Sequence, residues 1–166
     1  MQVKNSNICA IIPVRAGSKR VVNKNLRPFA GSNLLQRKIN QLKAVSEIEA
    51  IYVSSDSSEM LEIAKSSGCV ALERPAEFAS DSIPMSEVYK HLAGSVKEAI
   101  VLFTHVTNPF CSEASYRAAI AQTLNLKDKY DSLTTVTNVK DFLYWDGEAF
   151  ILILSRSLGL KIYLIS

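Results

Sequence analysis

A chain of 166 residues with 48% hydrophobic and 21% charged residues has enough apolar side chain to bury a core, which excludes a disordered tail or a fibrous repeat. The net charge of +3 is small, yet residues 1–46 hold nine Lys or Arg and no acid, whereas 47–83 hold eight acids against Lys65 and Arg74 alone. Such localised positive charge attracts an anionic small molecule or a nucleic-acid backbone equally well, but Phe29, the only aromatic among residues 1–46, is no base-stacking platform and argues against nucleic acid.

The chain opens on an apolar run, Ile8 to Val14, that reads as a buried parallel strand. It begins too late, and is broken too soon by Pro13 and Arg15, to be a secretory leader. The strand runs into a cationic, small-residue loop containing Arg15, Ala16, Gly17, Ser18, Lys19, Lys24 and Asn25. Ligands of open α/β sheets sit outside the carboxyl ends of the strands. There, backbone N–H groups and Ser18 can approach phosphate oxygens, Arg15 can bind them as a fork, and the lysines add point charge. A P-loop is excluded, because Ala16-Gly-Ser-Lys-Arg20 lacks the Gly-x4-Gly-Lys frame.

Leu34 to Val45 is predicted to be an amphipathic helix, with Leu35, Ile39 and Leu42 on one face and Arg37, Lys38 and Lys43 opposite. Glu49 to Ser54 returns as a strand. Asp56 and Glu59 have capping-box spacing ahead of a helix that Gly68 ends, so Asp56 reads as a cap rather than a metal ligand. Cys69 to Leu72 is a third short strand, and right-handed crossovers make all three parallel. Residues 73–84 carry two prolines and no period, which predicts a loop at the functional edge. In that loop Asp81 reads as a turn carboxylate, and Arg74 by itself as a surface ion-pair partner of Glu73 or Glu77.

Met85 to Leu92 is the next helix, ending at Gly94, and Ala99 to Thr104 the next strand. His105 follows at the strand end and reads equally as a satisfied histidine or a ligand contact, not as a general base. Helix Glu113 to Leu126, strand Asp131 to Asn138 and a turn at Trp145-Asp146-Gly147 complete the regular part. The largely apolar residues 150–166 are interrupted by Arg156, Gly159 and Lys161. They are expected to form one or two closing strands, and a surface for self-association, rather than a membrane span. Cys9, Cys69 and Cys111 fit neither a zinc nor a disulfide spacing, which suits a reducing cytoplasm.

Four segments in order, Ile12-Pro-Val-Arg-Ala-Gly-Ser-Lys19 with Lys24-Asn25, Val53-Ser-Ser-Asp56, Arg74-Pro-Ala-Glu-Phe-Ala-Ser-Asp81 and Val106-Thr-Asn-Pro109, resemble the acylneuraminate cytidylyltransferase family over about residues 7–140. The resemblance implies an α/β, Rossmann-like, three-layer nucleotide-diphospho-sugar transferase fold with a mainly parallel sheet, here as a single domain over 1–166 with a divergent apolar tail over 148–166. It implies a cytoplasmic, homodimeric enzyme that uses CTP and Mg²⁺ to activate a 2-keto-3-deoxy sugar acid, nonulosonic or octulosonic, as its CMP derivative with release of pyrophosphate. Carried over by position, Arg15, Lys19 and Lys24 are the catalytic cations. Arg15, Ala16, Gly17, Ser18, Lys19, Lys24, Asn25, Arg74, Ala79, Ser80 and Ile83 hold the nucleotide, and His105, Thr107 and Asn108 face the sugar.

The chain departs from the family's pattern at His105, at Asn108 and after Asp81. It also carries no acid beyond Glu148, where the family places its metal aspartates. The resemblance therefore names no metal ligands, although Asp81 and Asp141 are the first substitutes. The departures also define an alternative expectation, that of a truncated or degenerate member that binds nucleotide without efficient catalysis. Another nucleotidyltransferase of the same fold with a different base is a third reading, against which the Arg74-Pro-Ala-Glu77 loop speaks.

Overall fold

The computed structural model describes residues 7–17, 21–80 and 82–136, together with the backbone of three strands at 143–145, 148–150 and 161–165. The chain divides into two compact units, Met1–Arg117 and Ala118–Ser166.

In the first unit, β1 (Ile8–Pro13) is buried along nearly its whole length because it lies between two parallel neighbours. A hairpin of β2 (Pro28–Phe29) and β3 (Ser32–Asn33) leads into α1 (Leu34–Lys43), whose N-cap Asn33 accepts the Gln36 N–H at 2.8 Å. The two-residue turn between β2 and β3 has positive φ at both Ala30 and Gly31 (49° and 77°), the hand that matches strand twist.

Next come β4 (Ala50–Ser55), α2 (Ser58–Ser66), β5 (Val70–Glu73), the short α3 (Ala76–Ala79), α4 (Met85–Ala93) and β6 (Ile100–Phe103). The sheet order is β5-β4-β1-β6, all parallel, so the first three strands step outward in one direction and the fourth returns to the other side of β1. On one face of the sheet, Cys9, Ile11 and Tyr52 pack with Val88 and Leu92 of α4.

Two local expectations are corrected. Helix α2 is capped by Ser57, whose hydroxyl accepts the Met60 N–H, rather than by Asp56, which is engaged elsewhere. Residues 76–79 form a helical turn inside the expected loop, because Pro75 at φ −53° already has the φ of a helix start. Gly68 ends α2 as expected, at φ +67° with its N–H on the Lys65 carbonyl. Cys9 and Cys69 are buried, as their apolar surroundings predict.

α5 (Glu113–Leu126) crosses from the first unit into the second. The second unit pairs β7 (Ser132–Val136) antiparallel with β10 (Lys161–Ile165), and β8 (Leu143–Trp145) with β9 (Glu148–Phe150). Residues 146 and 147 of the expected Trp145-Asp-Gly147 turn lie outside those described, between the paired β8 and β9, and the expected closing strand is present at 161–165. Asp81, Asp141 and residues 151–160 also lie outside the described residues. Among the described residues no helix is long and apolar enough to cross a membrane.

Candidate functional site

The loops 14–27, 56–57, 74–84 and 104–112 all leave the carboxyl ends of parallel strands in the first unit. Between β1 and β6 the direction of strand addition reverses, the position at which open α/β sheets generally seat their ligands.

The loop after β1 is held at several points. Val14 donates its N–H to the Ser54 carbonyl at 2.9 Å, and Ala16 donates its N–H to Asp56 Oδ1 at 2.8 Å. Asn25, only 6% exposed, donates from Nδ2 to the Arg15 carbonyl at 3.1 Å and accepts the Leu35 N–H on its own carbonyl. Gly17 adopts φ +71° with open space where a Cβ would stand, so the requirement there is conformational and not steric. Arg15 crosses to the loop after β5, its Nη1 donating to the Ala79 carbonyl at 3.1 Å. Lys24 is half-buried in the turn that follows, while Ser18 and Lys19 lie outside the described residues.

Arg74 is not the surface ion-pair partner that its acidic neighbours suggest. It is 6% exposed and donates from Nε to Ser54 Oγ at 3.1 Å and from Nη2 to the Ser54 carbonyl at 2.8 Å. Burial pushes its pKa down, against the pull of Asp56 and together with the Arg15 charge. Ser80 is exposed and shares a hydrogen bond with Ser82, and Ile83 is partly buried against the core cluster that includes Val88 and Leu92 of α4.

On the loop after β6, the exposed His105 is joined through Nε2 to Tyr89 Oη at 2.8 Å, so the strand-end histidine is satisfied. Thr107 and Asn108 are exposed beside it. The loop backbone is gripped from α1. Lys38 Nζ donates to the Asn108 carbonyl at 2.8 Å, Arg37 Nε to the Pro109 carbonyl at 2.9 Å, and Gln41 Nε2 to the Pro109 and Cys111 carbonyls at 2.8 and 3.0 Å. Lys38 was expected on the solvent face, yet it is completely buried, and its Nζ also donates to Tyr116 Oη at 2.7 Å. Its position was legible, because 38 lies three after Leu35 and four before Leu42 on the same stripe. Only its charge pointed outward.

Although the residue is open to solvent on one side, partial desolvation of the ring by the groups packed around it, with the Lys38 charge second, lowers the His105 pKa from the ordinary 6.5. Folding then favours the neutral ring, so its contribution to stability is complete above about pH 6.5 and declines as pH falls through that value toward the lowered folded one. Thermal unfolding of wild type and His105→Gln between pH 5 and pH 8 should show a steeper acid-side loss in wild type. Parallel curves would remove the titration from His105.

Arg15, Ala16, Asn25, Arg74 and Ala79 are thus brought together through Ser54 and Asp56, while His105, Thr107 and Asn108 form a second group hung from α1 and α4. Asp56, Lys38, Tyr89 and Tyr116 were missed as site-building residues. Among the described residues no three His, Cys, Asp or Glu side chains gather as a metal site, and one Asp56 oxygen is already committed to Ala16. The described residues therefore do not make a protein cage for Mg²⁺.

The sequence pattern described as Cytidylyltransferase matches residues 9–144. The chain is 30% identical over 161 residues to the 3-deoxy-manno-octulosonate cytidylyltransferase of Desulfosudis oleivorans, covering 90% of this chain and 64% of that protein. It is 33% identical over 136 residues to the N-acylneuraminate cytidylyltransferase of Escherichia coli O18:K1:H7, covering 80% of this chain and 32% of that one. Its fold is similar to that of CMP:2-keto-3-deoxy-manno-octonic acid synthetase complexed with CTP, at TM-score 0.68 and 13% identity over 96% of this chain and 72% of that one. The chain spans from about a third to just under two thirds of the two curated relatives' lengths. A Rossmann-like parallel sheet, a cationic loop at its carboxyl edge and a sequence match over most of the chain lead to one conclusion: the chain belongs to the cytidylyltransferase family.

Proposed function

We propose that this chain transfers CMP from CTP to the hydroxyl of an acidic 2-keto-3-deoxy sugar and releases pyrophosphate. The observation that carries the reading is the Arg15 crossing, because one cationic side chain ties the loop after β1 to the loop after β5 at the carboxyl edge of the sheet. A triphosphate seated on the first loop would place its base toward Asn25, Arg74 and the backbone of 79–83. The relatives' names, all of enzymes making such transfers, support catalysis over a nucleotide-binding module.

In this reading the acceptor hydroxyl forms a new bond to the α-phosphorus as the bond from that phosphorus to the bridging oxygen of pyrophosphate breaks. The hydroxyl proton passes to solvent, and negative charge grows on the phosphate oxygens. Arg15 and Lys24 offset that charge with fixed or nearby cations, the main lever available to a protein in phosphoryl transfer. Lys19 completes the set. Mg²⁺ enters this reading as an ion carried by the triphosphate, which needs few protein ligands.

The test is pyrophosphate release with CTP, UTP, GTP or ATP against a panel of nonulosonic and octulosonic acids. Release that depends on both CTP and an acidic keto sugar is expected. Release with neutral sugars, or equal rates with all four nucleotides, would overturn the reading.

A further inference from the structure

Lys38 is a lysine with no solvent exposure and no acidic partner among its recorded contacts. Its Nζ donates to a backbone carbonyl, that of Asn108, and to Tyr116 Oη. The tyrosine hydroxyl in turn shares a hydrogen bond of 2.8 Å with Thr104 Oγ1, at the end of β6. One buried cation therefore joins three elements, α1, the first turns of α5 and the start of the 104–112 loop. Burying an ammonium among neutral acceptors is costly. Burial indeed lowers its pKa, with Cys111 opposing and Arg37 adding to the shift. An apolar residue on the same stripe would pack the helix at less cost, so packing alone does not account for a lysine here.

We infer that Lys38 is a positioning residue for the acceptor substrate, acting through the Asn108 carbonyl and the Tyr116 hydroxyl to fix the 105–108 backbone relative to β1. Calling this loop the acceptor side rests on the function proposed above; its attachment to α1 does not. Arg37 and Gln41 hold the following residues, 109–111, from the same helix, so Lys38 supplies the point of attachment nearest His105 and Thr107. Because the Arg15, Asn25 and Arg74 group is built from other contacts, loss of Lys38 should leave nucleotide binding intact.

The experiment uses the full chain with Lys38→Met and, as a milder variant that keeps the ring, Tyr116→Phe. Steady-state kinetics should show KM for the acidic sugar raised about tenfold or more in Lys38→Met and less in Tyr116→Phe, with KM for CTP within about twofold of wild type. Amide hydrogen exchange supplies a readout that needs no turnover. Residues 105–108 should lose protection in both variants while β1 and residues 14–17 keep theirs. Should Lys38→Met fail to fold, Tyr116→Phe carries the same two readouts.

Equal rises in both KM values, or a fall in kcat alone, would overturn the positioning role. Unchanged exchange at 105–108 would do so as well. If wild type turns over no acidic sugar while exchange at 105–108 changes as expected, the function reading fails and the attachment stands, but the acceptor role falls with the function.

Discussion

Replacing Arg15 with alanine should lower kcat/KM for CTP by about 10²–10³-fold, the loss typical of removing one fixed donor to developing charge. The side chain has two duties that alanine ends together. Its Nη1 holds the Ala79 carbonyl and so fixes the loop after β5, and in the function proposed above its charge offsets that of the phosphates. Lysine at this position keeps the charge and gives up the planar fork, so Arg15→Lys should recover only part of the loss. Calorimetric titration with CTP, alongside steady-state kinetics, separates binding from turnover. Alanine and wild-type proteins within about threefold of each other in kcat/KM would remove Arg15 from the phosphate site.

Arg74→Leu should destabilise the fold by about 2 kcal/mol and raise KM for CTP about tenfold. The guanidinium satisfies the buried Ser54 hydroxyl and one lone pair of its carbonyl, and leucine leaves that hydroxyl unpartnered. Relief of a buried charge offsets part of the cost, which keeps the estimate below that for breaking a buried ion pair. The urea midpoint reports the first effect and CTP kinetics the second. If Arg74 were the surface ion-pair partner of Glu73 or Glu77, the midpoint would hardly move.

The sequence carried the sheet because its signals were redundant. The β-branched runs at 8–14 and 50–55, the glycine after α2 and the stripe of α1 each specified an element on local grounds. What stayed hidden were long-range polar contacts made by residues with an equally good local reading. Asp56 has helix-cap spacing, but the Ala16 N–H reaches it from 40 positions away in the chain. Arg74 sits between acids, but its guanidinium turns to a serine on the neighbouring strand. Lys38 shows the same limit from the other side, because its stripe position was plain while the acceptors that let it be buried, Asn108 and Tyr116, lie more than 60 residues onward. The loop after β1 was legible as a cationic turn, whereas the backbone bonds that shape it depend on β4.

The central place of β1 also bears on how the chain reaches this state. Its partners are Ala50 to Ser54 on one side and Ile100 to Phe103 on the other, so this strand gains its second neighbour only after about ninety further residues have been made. Until residue 103 is available, one edge of Ile8–Pro13 presents open hydrogen-bonding groups and β-branched side chains, the features that template pairing between different chains. Parallel pairing at this sequence separation is slow, since loop closure must precede any contact that rewards it. The cations that follow at Arg15, Lys19, Arg20 and Lys24 stand where gatekeeping charges are placed beside an unavoidable apolar strand. Mutual repulsion between nascent copies would then come from the same residues that make the mature loop attractive to anions.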